Sequence, residues 1–164
     1  MITSNKEPRL LHMDGFNVAG LSVKTANRDE FNPSTAKLSH LWQRFFTEGL
    51  TDSIPHRLCD SPLFGVYSDY ESDADGLYTV TAGVKSSRSS NTLAFSTVRV
   101  LSGHYLVFEN KGVMPQAVIE TWKRVWDYFA SYPIAIRCFK TDFEMYQGGG
   151  DVAIYIGVET GSIE

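Results

Sequence analysis

The stretch Thr141-Asp-Phe-Glu-Met-Tyr146 sets two carboxylates and a phenol at every second position. In a strand, successive side chains alternate, so Asp142, Glu144 and Tyr146 share one face while Phe143 and Met145 share the other. A glutamate walled by aromatic rings is partly desolvated, which pushes its pKa upward while the site is empty. A bound cation would favour the ionised form, and each ring face adds cation–π attraction of about 0.5–2 kcal/mol. One carboxylate among π-faces is a receptor for a flat, lipophilic cation. Rings are in good supply: 10 Phe, 8 Tyr and 3 Trp make up 13% of the chain. Tyr70 offers a phenol on the matching strand of the first half, and Tyr67, Tyr78, Tyr105, Phe108 and Tyr155 fall on strands near the chain's internal seam. The competing reading is an ordinary strand with Glu144 in water, since a glutamate is rarely buried unless paired.

Other motifs lead nowhere. Gly148-Gly-Gly150-Asp-Val-Ala153 fits a dinucleotide fingerprint by letter but runs into a strand, so no helix N-terminus is available for pyrophosphate. It reads as a hairpin turn. Glu71-Ser-Asp-Ala-Asp-Gly76 resembles the start of a calcium loop, yet the acid required six residues beyond the glycine is replaced by Ala82. His56-Arg-Leu-Cys59 has no second pair to complete a metal site, and His12, His40 and His104 are scattered. No G-x-S-x-G elbow is present. The sequence names no metal, no cofactor and no familiar catalytic constellation.

Two amphipathic segments position these residues. Leu38, Leu41, Trp42, Phe45 and Leu50 fall on one stripe behind Asn32-Pro33, which reads as a cap residue and a proline at the first helical position. Val118, Trp122, Val125, Trp126 and Phe129 form a second stripe opened by Pro115. The two prolines lie half a chain length apart. A strand over Phe16–Val23 precedes the first helix, and strands over 64–70 and 77–85 follow it. A strand region over 92–109, broken at Ser102-Gly103, precedes the second, and strands over 134–146 and 152–159 follow. Each half reads strand, helix, strand, strand, with pseudo-repeats over about 10–88 and 91–160 of one domain spanning 1–164. Short turns demand antiparallel pairing, and Val80, Ala82, Val84, Ile154, Ile156 and Val158 should face the helices. The expected fold is α+β: an antiparallel sheet with two amphipathic helices and a central cleft between pseudo-symmetric halves.

The 164 residues suit one domain, and a net charge of −4 with no basic run argues against direct nucleic-acid binding. No run of 18 apolar residues marks a membrane span, and the polar start lacks a signal-peptide core. Cys59 and Cys138 read as free thiols of a reducing cytoplasm.

The whole chain resembles the GyrI-like, AraC-type effector-binding superfamily, the ligand modules of multidrug-sensing regulators, and within it the stand-alone, integron-cassette-encoded branch. The resemblance rests on an ordered set: Val18-Ala-Gly-Leu, Leu41-Trp-Gln-Arg-Phe45, Ile54-Pro-His-Arg57, Phe64-Gly-Val-Tyr-Ser-Asp-Tyr-Glu71 and Gly76-Leu-Tyr-Thr-Val80. It continues through Gly103-His-Tyr-Leu-Val-Phe108, Thr121-Trp-Lys-Arg-Val-Trp126, Asp142-Phe-Glu-Met-Tyr146 and Val152-Ala-Ile-Tyr-Ile-Gly-Val158. It implies two tandem strand-helix-strand-strand units around a cleft, with Glu144 as the electrostatic anchor for lipophilic cationic small molecules. It implies Tyr155 as a pocket tyrosine, Tyr67 and Tyr70 from the V-Y-x-x-Y strand, and Tyr146, Trp42, Phe45, Phe108 and Trp122 as lining residues, each of which core packing would explain as well. Relatives are commonly fused to DNA-binding helices, for which Met1–Asp14 is too short. Any transcriptional role would then need a transcription-regulator partner or reflect a lost fusion, and a homodimer stays open. Two rivals remain: a hydrolase of strained electrophiles with Glu144 as general base, and a protein-interaction module such as a gyrase inhibitor.

Overall fold

The computed structural model describes residues 8–73, 75–89, 95–131 and 136–159. In chain order these form β1 (Arg9–Met13), β2 (Phe16–Ala26), a single helical turn α1 (Asn27–Glu30), α2 (Leu38–Thr47), β3 (Leu63–Ser68), β4 (Leu77–Ser86), β5 (Ser96–Val100), β6 (Gly103–Lys111), α3 (Gln116–Ser131), β7 (Ile136–Gly148) and β8 (Asp151–Glu159). A 3-10 turn at Leu50–Ser53 takes the Leu50 end of the first apolar stripe out of the helix proper.

The strands make one antiparallel sheet in the order β1-β6-β8-β7-β3-β4-β2-β5. The two hairpins, β3–β4 and β7–β8, meet at its centre through pairing of β3 with β7. The outer strands are exchanged: β1 precedes β2 in the chain but pairs with β6, and β5 precedes β6 but pairs with β2. β1 is an element that sequence periodicity did not reveal. Five mostly exposed residues carry too short a pattern, and their partner lies almost a hundred positions away.

Strand alternation sorts the sheet into two faces. Val80, Ala82 and Val84 pack beneath Leu41 and Phe45 of α2. Ile154, Ile156 and Val158 pack beneath Val125 of α3, with Phe108 among them. The opposite, helix-free face has its own core of Phe64, Val66, Tyr105, Phe143, Tyr155 and their neighbours. Burying both faces explains why β3 and β8 read as nearly continuous apolar runs.

The first helix begins later than Asn32-Pro33 suggests. Asn32 forms an Asx turn, its Oδ1 accepting Ser34 N–H at 3.0 Å. The N-terminal N–H groups of α2 are met instead by Glu30, whose carboxylate accepts Lys37 N–H at 2.9 Å and Leu38 N–H at 3.2 Å. The strand region expected over 92–109, broken at Ser102-Gly103, forms two strands divided at that break, β5 and β6; its first residues lie outside the described ones, as do 134 and 135. The Glu71–Gly76 turn uses its acids on backbone: Glu71 accepts Leu77 N–H and Asp73 accepts Asp75 N–H. Gly148, Gly149 and Gly150 all have positive φ, the conformation the β7–β8 turn requires. Cys59 and Cys138 are both free.

Candidate functional site

Where β3 and β7 pair, the two helices straddle the seam and leave a cavity of about 780 Å³ between them. That volume falls inside the roughly 300–1,000 Å³ typical of small-molecule sites. From the first half, α2 contributes Leu38, Trp42 and Phe46, and β3 with its exit contributes Leu63, Tyr67 and Tyr70. From the second, α3 contributes Val118, Trp122 and Trp126, and β7 contributes Arg137, Glu144 and Tyr146. Tyr78 of β4 and Phe31, after α1, complete the aromatic wall, and Phe31 meets Trp126 edge-on across the cleft at 6.0 Å.

Glu144 is 4% exposed at the floor of this cavity. Three neutral donors hold it: Tyr67 Oη at 2.8 Å and Trp122 Nε1 at 2.7 Å reach Oε2, and Tyr146 Oη at 2.7 Å reaches Oε1. None of the ion pairs among the described residues involves Glu144. Burial raises its pKa above the ordinary 4.5, and the bonds from Trp122, Tyr146 and Tyr67 partly offset the rise. Burial, reinforced by the neighbouring Glu144 charge, pushes the Tyr67 and Tyr146 phenols well up, so both remain donors. The carboxylate is therefore fixed and desolvated, with no ion pair among the described residues.

Room for it comes from the facing strand. Gly65 of β3 pairs with Glu144, and a Cβ at Gly65 would stand 2.8 Å from Glu144 Oε1 and 3.1 Å from the Trp42 ring. Only a residue without a side chain lets the carboxylate lie across the seam.

A second carboxylate, Asp142, has no exposed surface but is fully paired. It binds Arg137 at 2.8 Å, accepts Gly157 N–H at 2.8 Å and takes the Tyr70 hydroxyl. Arg137 and Asp142 are five positions apart, which in a regular strand would place them on opposite faces. A bulge in β7, with Phe139 at φ 53°, brings them together, and the Arg137 guanidinium lies 4.3 Å over the Phe139 ring. A left-handed residue also sets Tyr67 and Tyr70, here just past the end of β3. Three positions apart, they would diverge, but Asp69 turns the chain through the left-handed region at φ 51° and both line the cavity.

Of the residues expected from sequence, Glu144, Tyr67, Tyr70, Tyr146, Trp42 and Trp122 are brought together here. Tyr155 is not. It lies on the helix-free face, its ring stacked on Phe143 at 4.4 Å, because it pairs with Phe143 and not with Glu144. Tyr105 occupies that face too, as does Met145. Phe45 and Phe108 are 1% exposed and belong to the cores beneath α2 and α3, not to the cavity wall. Gly65, Arg137, Asn27 and Glu30 border or shape the cavity without having been anticipated. Among the described residues no group of three His, Cys, Asp or Glu could hold a metal, and no helix is long and apolar enough to cross a membrane.

A Cass2 family model, described as an integron-associated effector binding protein, matches residues 9–158. An integron cassette protein from the mobile metagenome of Vibrio cholerae is 37% identical over 94% of this chain and 97% of its own, with a TM-score of 0.80. SAV2435, solved with tetraphenylphosphonium bound, shares the fold at 21% identity and a TM-score of 0.74, over 94% of each chain. A candidate transcriptional regulator of Bacillus subtilis, YobU, is 25% identical over 92% of this chain and 96% of its own. The chain belongs to the Cass2 family of integron-associated effector binding proteins.

Proposed function

We propose that this protein captures lipophilic, aromatic cations in the cleft between its halves and releases them chemically unchanged. One observation carries the reading: Glu144 is buried, held by three neutral donors, and faces an aromatic cavity with no ion pair to it among the described residues. A buried carboxylate in that state costs free energy that an entering positive charge offsets. Trp42, Trp122, Trp126 and Tyr67 supply ring faces, which tolerate many ligand shapes because stacking is not directional in the way hydrogen bonds are. The tetraphenylphosphonium complex of a protein with this fold supports the same ligand class. The regulator-like relative supports an effector-sensing role exercised through a partner.

The test is a calorimetric titration with tetraphenylphosphonium, rhodamine-type dyes and neutral analogues of similar shape, with mass spectrometry of the recovered ligand. The proposal expects one cation bound per chain, weak or absent binding of the neutral analogues, and an unaltered ligand mass. Equal affinity for charged and uncharged analogues would remove it, and a changed mass would favour a hydrolase.

A further inference from the structure

We infer that the cavity has a second anionic pole at Glu30, and so selects elongated ligands with two positive centres over single-centre cations of similar size. The inference rests on the cation-binding reading above. Glu30 lines the same cavity as Glu144 but on the other half, in the connection between β2 and α2. Its carboxylate is fixed before any ligand arrives, by Thr25 Oγ1 at 2.6 Å and by the Lys37 and Leu38 N–H groups. All three partners are neutral, and none of the ion pairs among the described residues involves Glu30. Oε1 accepts one of these bonds, so a lone pair remains for a guest.

Tyr78 ties the two poles together. Its hydroxyl donates to Asn27 Oδ1 at 2.7 Å, and its ring packs against Tyr67, the donor to Glu144, at 5.4 Å between centroids. After burial, the charges of Glu30, Glu144 and Asp29, in that order, raise the Tyr78 phenol. Glu30 and Glu144 therefore act on one ring within one enclosed space. Helix capping accounts for the Lys37 and Leu38 bonds, but gives no reason for an acid outside the ion pairs of the described residues to border an aromatic cavity. A two-headed cation does. One head sits over Glu144 among the tryptophans, the apolar middle crosses Tyr78, and the second head meets Glu30.

The experiment compares decamethonium, a ten-carbon chain with a quaternary ammonium at each end, with decyltrimethylammonium, which lacks the second charge. Affinities for the full chain are measured by calorimetry in wild type, Glu30→Gln and Ser39→Lys. Ser39 borders the cavity next to Leu38, so a lysine there adds a positive charge near Glu30 without removing its bonds. The readout is the ratio of the two affinities, which general damage to the cavity would leave in place. The ratio should fall about three- to fivefold in each variant, in keeping with loss of one half-exposed ion pair. An unchanged ratio in both variants overturns the inference. If Glu144→Gln leaves tetraphenylphosphonium binding intact, the parent reading has failed. If that variant weakens both probes while the ratio ignores Glu30 and Ser39, only the second pole has failed.

Discussion

Replacing Glu144 by Gln removes one charge and almost nothing else. The amide oxygen can still accept from Tyr67 and Trp122, and the Tyr146 hydroxyl can rotate to accept from the new NH2. The cavity should keep its shape, so any loss of affinity reports charge. A phosphonium centre shielded by its phenyl groups approaches a carboxylate to about 5 Å, where two unit charges at an effective dielectric near 20 attract by about 3 kcal/mol. Little of this is spent on reorganisation, because three donors already fix the anion. The expected loss for tetraphenylphosphonium is about 100-fold in Kd by isothermal calorimetry. Triphenylphosphine oxide, a neutral analogue, should lose less than about threefold. The reasoning fails if the variant binds the cation within about threefold of wild type, or if both ligands lose equally.

Three further outcomes follow from the same geometry. Gly65→Ala drives a Cβ to 2.8 Å from Glu144 Oε1, and the pinned carboxylate cannot give way freely. A melting-temperature loss equivalent to about 1–3 kcal/mol and weaker cation binding are expected. Arg137→Ala leaves Asp142 buried without its cation and should cost about 3–5 kcal/mol in denaturant unfolding. For pH, folding raises the pKa of Glu144, so between the ordinary 4.5 and the higher folded value the native state holds a proton that the unfolded chain has released. The contribution of Glu144 to ligand-free stability therefore falls as pH rises through that window, and cation affinity rises with pH over the same range. Melting curves from pH 4 upward, wild type against Glu144→Gln, check the first. The variant should lack the Glu144 step, and its presence there would assign the step to another group.

Much of this site can be read along the chain, because it lies on regular strands. Alternation alone puts Asp142, Glu144 and Tyr146 on one face, and the helical stripes bring Trp42 and Trp122 above it. Alternation also separates Ile154 and Ile156 from Tyr155, so strand parity already set that tyrosine away from the helices, against what family resemblance implied. What stayed hidden depends on departures from regularity. The bulge at Phe139 joins Arg137 to Asp142, and the left-handed turn at Asp69 returns Tyr70 to the side of Tyr67. Phe139 does not announce a positive φ inside a strand, and Asp69, a type that tolerates one, lies just past the end of β3 where nothing local fixes the turn. The need for Gly65 follows only from its register opposite Glu144, a pairing between segments nearly eighty residues apart. The exchange of β1 and β5 between the halves is likewise a long-range choice with no local signature.

Anomalous diffraction from a crystal of the complex with tetraphenylarsonium tests the central claim most directly, because the arsenic marks the charge centre itself. One strong peak per chain is expected in the cleft, within about 6 Å of the Glu144 carboxylate and bracketed by Trp42 and Trp122. A peak on the helix-free face beside Tyr155, or one far from any carboxylate, would contradict it.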